Sequence, residues 1–232
     1  AYYAIRNLST SDGFPTNAVY GFSSMMFKFV KDFNPEYVAI VFDARGKTFR
    51  NDMYEHYKAN REEMPDDLVP QIEKIHEVVR AFSFPLIIKE GFEADDLIGT
   101  IAKANSKNGI DVVIVTGDKD FCQLVNSNIT LFDTMKNKKT DVGDVVERYG
   151  VAPENILDMF ALWGDAVDNI PGVKGIGEKT ASRLISEYGT LENLFGNIDK
   201  LPGRQKTMLE KGKENAFLSR DLLAIRTDVD TE

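Results

Sequence analysis

The side chains best able to do chemistry in this chain are carboxylates in short groups: Asp43 alone, then Glu93 with Asp95 and Asp96, Asp118 with Asp120, and Asp165 with Asp168. Acids two apart in extended backbone point the same way, and acids three apart on a helix share a face. Each group has a bland reading as well. Glu93 to Asp96 could simply cap a helix, and acids after strands often serve only as turn residues. Convergence would exclude the bland reading, because two carboxylates about 4 Å apart repel by about 4 kcal/mol at an effective dielectric near 20. A cluster of them needs cations. The chain holds only His56, His76 and Cys122 as softer ligands, so an all-oxygen donor set would suit Mg²⁺ or Mn²⁺ rather than zinc. A pair of such ions about 3.5–4 Å apart can flank the attacking and leaving oxygens of a phosphoryl transfer.

The most specific local pattern is Ile170-Pro171-Gly172-Val173-Lys174-Gly175-Ile176-Gly177-Glu178-Lys179-Thr180-Ala181. A dinucleotide fold needs a strand before its glycines, and none is predicted here. The pattern fits a helix-hairpin-helix, in which Gly172, Gly175 and Gly177 let backbone N–H groups approach a phosphate at a helix N-terminus. Lys174, Lys179, Thr180 and Arg183 would add charge and hydrogen bonds for sequence-independent contact with a DNA backbone. A plain glycine-rich connection is the alternative. Upstream, Arg50, Tyr54, Lys58 and Arg61 recur at helical spacing, with Tyr57 alongside. On one helix they would form a cationic, aromatic stripe able to grip single-stranded DNA, or else an ordinary solvated face.

Elements that could position these groups follow from periodicity. Helical spacing runs over 18–33 and stops at Asn34-Pro35; Tyr37 to Phe42 is an unbroken apolar run of the kind found in buried parallel strands. The stretch from Gly46 to Pro70 is charged and aromatic. Helices are predicted at 72–82, 94–105 and from 121 to 125, with strands at 85–88, 110–116 and 129–132. Beyond about residue 145 only helices are expected, at 145–149, 153–163, 179–188, 191–196 and 206–223. Strands alternating with helices predict an α/β fold with a parallel sheet. Ligands bind at strand carboxyl ends in such sheets, so Asp43, Asp118 and Asp120 are expected on one edge. Asp165 and Asp168 follow a helix C-terminus, where the dipole disfavours anions, so another group must hold them there. Cys122, Met25, Met26 and Trp163 read as core residues.

The formal charge of −9 runs against the basic footprint usual in nucleic-acid proteins. It is local: setting aside the eight clustered acids leaves −1. The apolar runs are too short to span a bilayer, and one cysteine excludes an internal disulfide. A cytoplasmic, membrane-free monomer is expected. The chain opens Ala1-Tyr2-Tyr3 without methionine and is expected to be a fragment.

In their order, Asn17 to Phe22, Val41-Phe42-Asp43, Tyr57 to Arg61, Glu93-Ala94-Asp95-Asp96, Gly117-Asp118-Lys119-Asp120 and Gly164-Asp165 to Ala181 resemble the 5′ nuclease (flap endonuclease) superfamily over nearly the whole chain. The resemblance implies a PIN-like α/β core, residues 1–146, with a helical arch at about 46–70, and a helical DNA-binding region, residues 147–232. By likeness, Asp43, Glu93, Asp95, Asp96, Asp118, Asp120, Asp165 and Asp168 would bind two Mg²⁺ ions directly or through water. Lys58 and Arg61 would steer the scissile phosphate, and the hairpin at 172–177 would hold duplex DNA, often with K⁺ in its turn. The family also has an initial strand ending in a metal-binding Asp, which lies outside this chain.

The expected activity is therefore removal of 5′ flaps or primers from nicked or branched DNA, with a polymerase domain as a candidate C-terminal neighbour. Two other classes compete. A non-catalytic branched-DNA binder would follow from the missing ligand, and a PIN-type ribonuclease would need no duplex clamp.

Overall fold

The computed structural model describes Tyr2, Ile5 and residues 8–231. In chain order the elements are α1 (Asn17–Phe33), β1 (Ile40–Val41), α2 (Phe49–Met53), α3 (Val69–Ala81), β2 (Leu86–Ile87), α4 (Ala94–Lys107), β3 (Val112–Val115), β4 (Ile129–Asp133) and β5 (Lys138–Thr140). There follow α5 (Val142–Tyr149), α6 (Pro153–Trp163), α7 (Glu178–Tyr188), α8 (Leu191–Gly196) and α9 (Gly203–Leu223). No helix among the described residues is long and apolar enough to cross a membrane.

Two compact units divide the chain, one of residues 1–44 and 62–89, the other of residues 45–61 and 90–232. In the first unit β1 pairs in parallel with β2, and α1 packs on α3, where Ala18, Met26, Ile75 and Val79 are buried. Gln71 is fully buried between them, accepting from Ala18 N at 2.8 Å and donating to Asn17 Oδ1 at 2.9 Å. Its amide satisfies the start of α1, where Thr16 gives no side-chain cap.

The second unit holds the large core. β3 pairs in parallel with β4, and β5 closes antiparallel on β4. Ile114, Phe121, Ile156, Met159, Phe160, Leu184, Leu194 and Leu209 are all buried in one cluster. Sequence accounts for the boundaries. Pro153 starts α6, and Gly164, at φ 78°, ends it; Pro is tolerated in a first turn because no intrahelical N–H is needed there.

Several expectations are corrected. The parallel sheet is two separate sheets among the described residues, with β1 and β3 in different ones. Asp43 and the pair Asp118 and Asp120 therefore do not share one sheet edge. The predicted strand from Tyr37 narrows to two residues, Ile40 and Val41, because only these find ladder partners, on Leu86 and Ile87. The predicted helix at 121–125 is a 3₁₀ turn over Lys119–Leu124. Strand β5 follows the turn at 134–137 and is polar, so no apolar run predicts it. The 46–70 segment holds only the short α2 before residue 69 rather than a helical arch. Tyr54 is extended and Lys58 has φ 55°, and either alone ends a helix.

Candidate active site

The α4 N-terminus, the segment after β3, the α6–α7 loop and the turn at 54–61 all belong to the second unit, and they meet at one cleft. Its walls include Glu93, Asp95, Asp118, Asp120 and Asp168, with Lys58, Arg61, Arg50 and Tyr57 opposite. Its volume is about 30 Å³, about one water. Asp43 belongs to the first unit and is exposed.

Glu93, Asp96, Asp118 and Asp165 are each held by local backbone logic. Glu93 is extended and caps α4, while Asp96 reaches back to accept from Glu93 N at 3.2 Å. Asp118 accepts from Asp120 N at 2.9 Å, closing the turn into Lys119–Leu124. Asp165 accepts from Val167 N at 2.8 Å and Asp168 N at 3.3 Å, while its own backbone bridges Ile170. The capping and turn readings are thus correct as far as they go. They aim the acids without using up all their oxygens.

Cations stand against these acids. Lys58 Nζ donates to Glu93 Oε1 at 2.7 Å, and the Tyr57 hydroxyl donates to Glu93 Oε2 at 3.0 Å. Arg61 Nε donates to Asp168 Oδ1 at 2.9 Å. Lys119 Nζ donates to Asp165 and stands 3.4 Å from Asp120 Oδ1. These pairs answer why Asp165 and Asp168 tolerate a helix C-terminus: Lys119, Arg61 and Lys58 neutralise them. Three further bonds clasp the 54–61 turn to the α6–α7 loop: Lys58 N to Asp168 O at 3.0 Å, Asn60 Nδ2 to Ala166 O at 2.8 Å, and Asn169 Nδ2 to His56 O at 2.7 Å.

Burial perturbs several groups. It pushes the Asp120 carboxyl up to about 6; nearby Lys119 opposes this, while Asp118 and Asp165 add to it. Burial alone would lower the Lys119 ammonium, but Asp120 and Asp165 outweigh that and hold it above its ordinary value. Burial would raise Asp165, yet Lys119 and the two backbone N–H donors keep it below the ordinary carboxylate range. The Tyr57 phenol is raised by burial and by Glu93, so it serves only as a donor.

Two residues of the expected DNA-gripping stripe are placed otherwise. Arg50 is 2% exposed and Tyr57 is 5% exposed, because the stripe is not one helix. Arg50 is turned inward onto Asp96 and Tyr57 onto Glu93. Tyr54 is half-buried and packs on the ring of His56. Asp96 is fully buried, and its oxygens accept from Arg50, Glu93 N and Arg226 N, which removes it from the set facing the cleft. Lys119 was the residue passed over, although its place between Asp118 and Asp120 was a visible signal.

The donor chemistry suits hard cations: the cleft carries carboxylates without histidine or cysteine. Asp120 Oδ1 is buried and accepts no hydrogen bond, although the Lys119 ammonium stands 3.4 Å away; a directly bound cation would satisfy it more fully. As they stand, no three His, Cys, Asp or Glu side chains among the described residues are drawn close enough to hold one ion.

The hairpin lies between α6 and α7. Gly172 has φ 57°, and a Cβ there would fall 2.6 Å from Gly164 N and 2.7 Å from Trp163 C. Only glycine fits this crossing. Gly172 N donates to the buried Ser219 Oγ at 2.9 Å. Gly175 also needs positive φ, at 90°. Gly177 does not; it precedes α7 with open space where a Cβ would be. Lys174, Lys179 and Arg183 are exposed and Thr180 half-buried. Arg183 is partnered by Gln205 and Glu187.

Comparison with known proteins extends this picture. Residues 1–150 match the 5′-3′ exonuclease, N-terminal resolvase-like domain, and residues 151–232 match the 5′-3′ exonuclease, C-terminal SAM fold. The chain is 48% identical over 240 residues to DNA polymerase I of Pseudomonas aeruginosa, all of this chain against 26% of that protein. It is 40% identical over 232 residues to the 5′-3′ exonuclease of Aquifex aeolicus, all of this chain against 79% of that one. Among solved structures it is similar to a bacteriophage T5 flap endonuclease variant in complex with DNA and metal ions, at 25% identity and a TM-score of 0.75, covering 92% of this chain and 82% of that one. The catalytic core of Rad2 in complex with DNA substrate shares the fold at 19% identity and a TM-score of 0.59, covering 100% of this chain and 77% of that one.

Fold and cleft together define a nuclease domain. The chain spans about a quarter of the length of the DNA polymerase I relatives it matches. It belongs to the 5′-3′ exonuclease family.

Proposed function

We propose that this domain is a structure-specific 5′-3′ exonuclease and flap endonuclease that hydrolyses DNA phosphodiester bonds with two Mg²⁺ or Mn²⁺ ions, removing 5′ flaps or primers in replication and repair. The observation that carries this is the cleft itself, which Glu93, Asp95, Asp118, Asp120 and Asp168 all line and where one buried carboxylate oxygen lacks a hydrogen bond. In the proposed roles, Glu93, Asp95, Asp118, Asp120, Asp165 and Asp168 would hold the ions directly or through water, and Asp96 positions Glu93. Bound divalent ions would supply a water ionised near neutral pH and offset charge on the departing 3′ oxygen.

The chain's own cations then have work to do. Arg61 is half-exposed and Lys58 partly so, and with the acids neutralised both side chains would be free to grip the scissile phosphate. Tyr57 keeps Glu93 oriented by its hydroxyl. The hairpin at 172–177 approaches the duplex backbone through the α7 N-terminus, with Lys174, Lys179, Thr180 and Arg183 adding contacts and K⁺ in the turn. In this reading residues 1–146 form the nuclease core and 147–232 the DNA-binding region. The domain works as a cytoplasmic monomer, and its match to about a quarter of the length of the DNA polymerase I relatives supports a polymerase domain as a candidate C-terminal neighbour.

The test is cleavage of a 5′-flap duplex with and without Mg²⁺. Cleavage that needs no metal, or that survives Asp118→Asn combined with Asp120→Asn, overturns the assignment. A second reading, a branched-DNA binder without catalysis, is favoured by the absence of any three ligands gathered for one ion among the described residues. Calorimetry with Mn²⁺ separates the two, since weak single-site binding with no flap cleavage supports the binder.

A further inference from the structure

We infer that Lys119 is a resident counter-ion of the carboxylate site, holding with its ammonium the place between Asp120 and Asp165 for which a divalent cation must compete. The inference rests on the nuclease reading above and adds a residue that sets how tightly, and in exchange for what, the site takes its metal.

The geometry separates Lys119 from the other cations. Lys58 and Arg61 come from the 54–61 turn and meet the acids from outside the strand-end segment. Lys119 comes from within it, being the residue between Asp118 and Asp120. Its Nζ donates to Asp165 and lies 3.4 Å from Asp120 Oδ1, the buried oxygen that accepts no hydrogen bond. It also stands 5.5 Å from the centroid of the Phe160 ring and 5.8 Å from that of Trp163, both on α6. Ring faces attract a cation at such distances, so the ammonium has a seat made of two acids and two rings.

Two consequences follow from charge alone. Without metal, Asp118, Asp120 and Asp165 would repel one another, and Lys119 lessens this. Against a bound divalent ion the ammonium would be a like charge competing for the same carboxylates, and it would have to yield them. A structural lysine that merely orients Asp165 would do the reverse, strengthening metal binding.

The experiment is Mn²⁺ titration calorimetry on the wild-type chain and on Lys119→Met, Lys119→Gln and Lys119→Arg, with circular dichroism as the check on folding. Removing the unit positive charge that sits on Asp120 and Asp165, in surroundings between water and protein interior, should tighten binding about tenfold or more in the Met and Gln variants. Lys119→Arg keeps the charge and should stay close to wild type. Unchanged or weaker Mn²⁺ binding in a folded Met or Gln variant overturns the inference while leaving the nuclease reading intact. A wild-type chain that binds no Mn²⁺ sinks both. A second measurement needs no variant: acylation of Lys119 by acetic anhydride, followed by mass spectrometry. Mn²⁺ should raise its labelling severalfold as the ammonium is released, and protection or no change by Mn²⁺ overturns the inference.

Discussion

Arg50 and Asp96 form a buried two-pronged ion pair, with Nη1 2.7 Å from Oδ2 and Nη2 2.8 Å from Oδ1. Arg50 also donates through Nε to Leu222 O at 2.8 Å and through Nη2 to Ala224 O at 2.8 Å, while Arg226 N donates to Asp96 Oδ1 at 2.9 Å. Burial would lower the guanidinium, but Asp96 and Glu93 outweigh it and leave it raised. One side chain thus ties α2, the α4 N-terminus and the chain leaving α9. Breaking a buried pair strands its partner's charge, so Arg50→Met should cost about 3–5 kcal/mol in urea unfolding. Arg61→Ala removes a half-exposed partner and should change stability by less than about 1 kcal/mol, yet slow flap cleavage strongly. Equal destabilisation by the two variants would show that Arg50 is no hub.

Asp120 gives a pH dependence with a definite sign. Its folded value, about 6, lies above the ordinary 3.8. Between those values the folded state binds more protons than the unfolded one, so this group's contribution falls as pH rises through the window and stays low above it. The metal-free Asp120→Asn variant should therefore melt higher than wild type near neutral pH. That advantage should shrink through the window and vanish below the ordinary value, where both forms are neutral. Thermal melts in a chelating buffer check this, and a lower melting point for Asp120→Asn at neutral pH contradicts it.

What could be read beforehand was whatever is encoded locally. The helix at Ala94, the apolar run at Val112 to Val115 and the glycine crossing at Gly172 all declare themselves by capping, β-branched residues or a backbone only glycine adopts. The carboxylates were legible for the same reason, since each group sits where its own turn aims it. Arg50 was misread because nothing nearby in sequence announces Asp96, 46 residues away, or the carbonyl of Leu222, 172 away. Pairing of β1 with β2 rather than in one sheet with β3 is equally non-local. So is Lys119, whose meaning depends on Asp165 from another element.

Ser219 is fully buried on α9, and its hydroxyl accepts from Gly172 N. Ser219→Ala would leave that N–H buried without a partner, which costs about 1–3 kcal/mol. The loss should appear as faster amide hydrogen exchange in the 164–177 loop. Ser219→Thr keeps the oxygen and should retain more of the protection at Gly172. Exchange at Gly172 unchanged in the alanine variant would mean that the bond contributes nothing to the hairpin.

Gly172 and Gly177 lie in one motif but should fail differently. Gly172→Ala drives a Cβ into the backbone of Trp163 and Gly164 at a positive φ, and should destabilise the fold by about 2 kcal/mol or more. Gly177→Ala meets no atom within 4 Å, and at φ −97° its backbone is ordinary, so its stability should stay within about 1 kcal/mol of wild type. If the α7 N-terminus faces a DNA phosphate, that new methyl occupies the approach and weakens duplex binding severalfold. Lys174→Ala, fully folded, should weaken binding on every sequence and lower the slope of log affinity against log salt by about 1. Duplex affinity unchanged in both Gly177→Ala and Lys174→Ala would remove the hairpin from the DNA-binding surface, leaving its glycines a purely structural explanation.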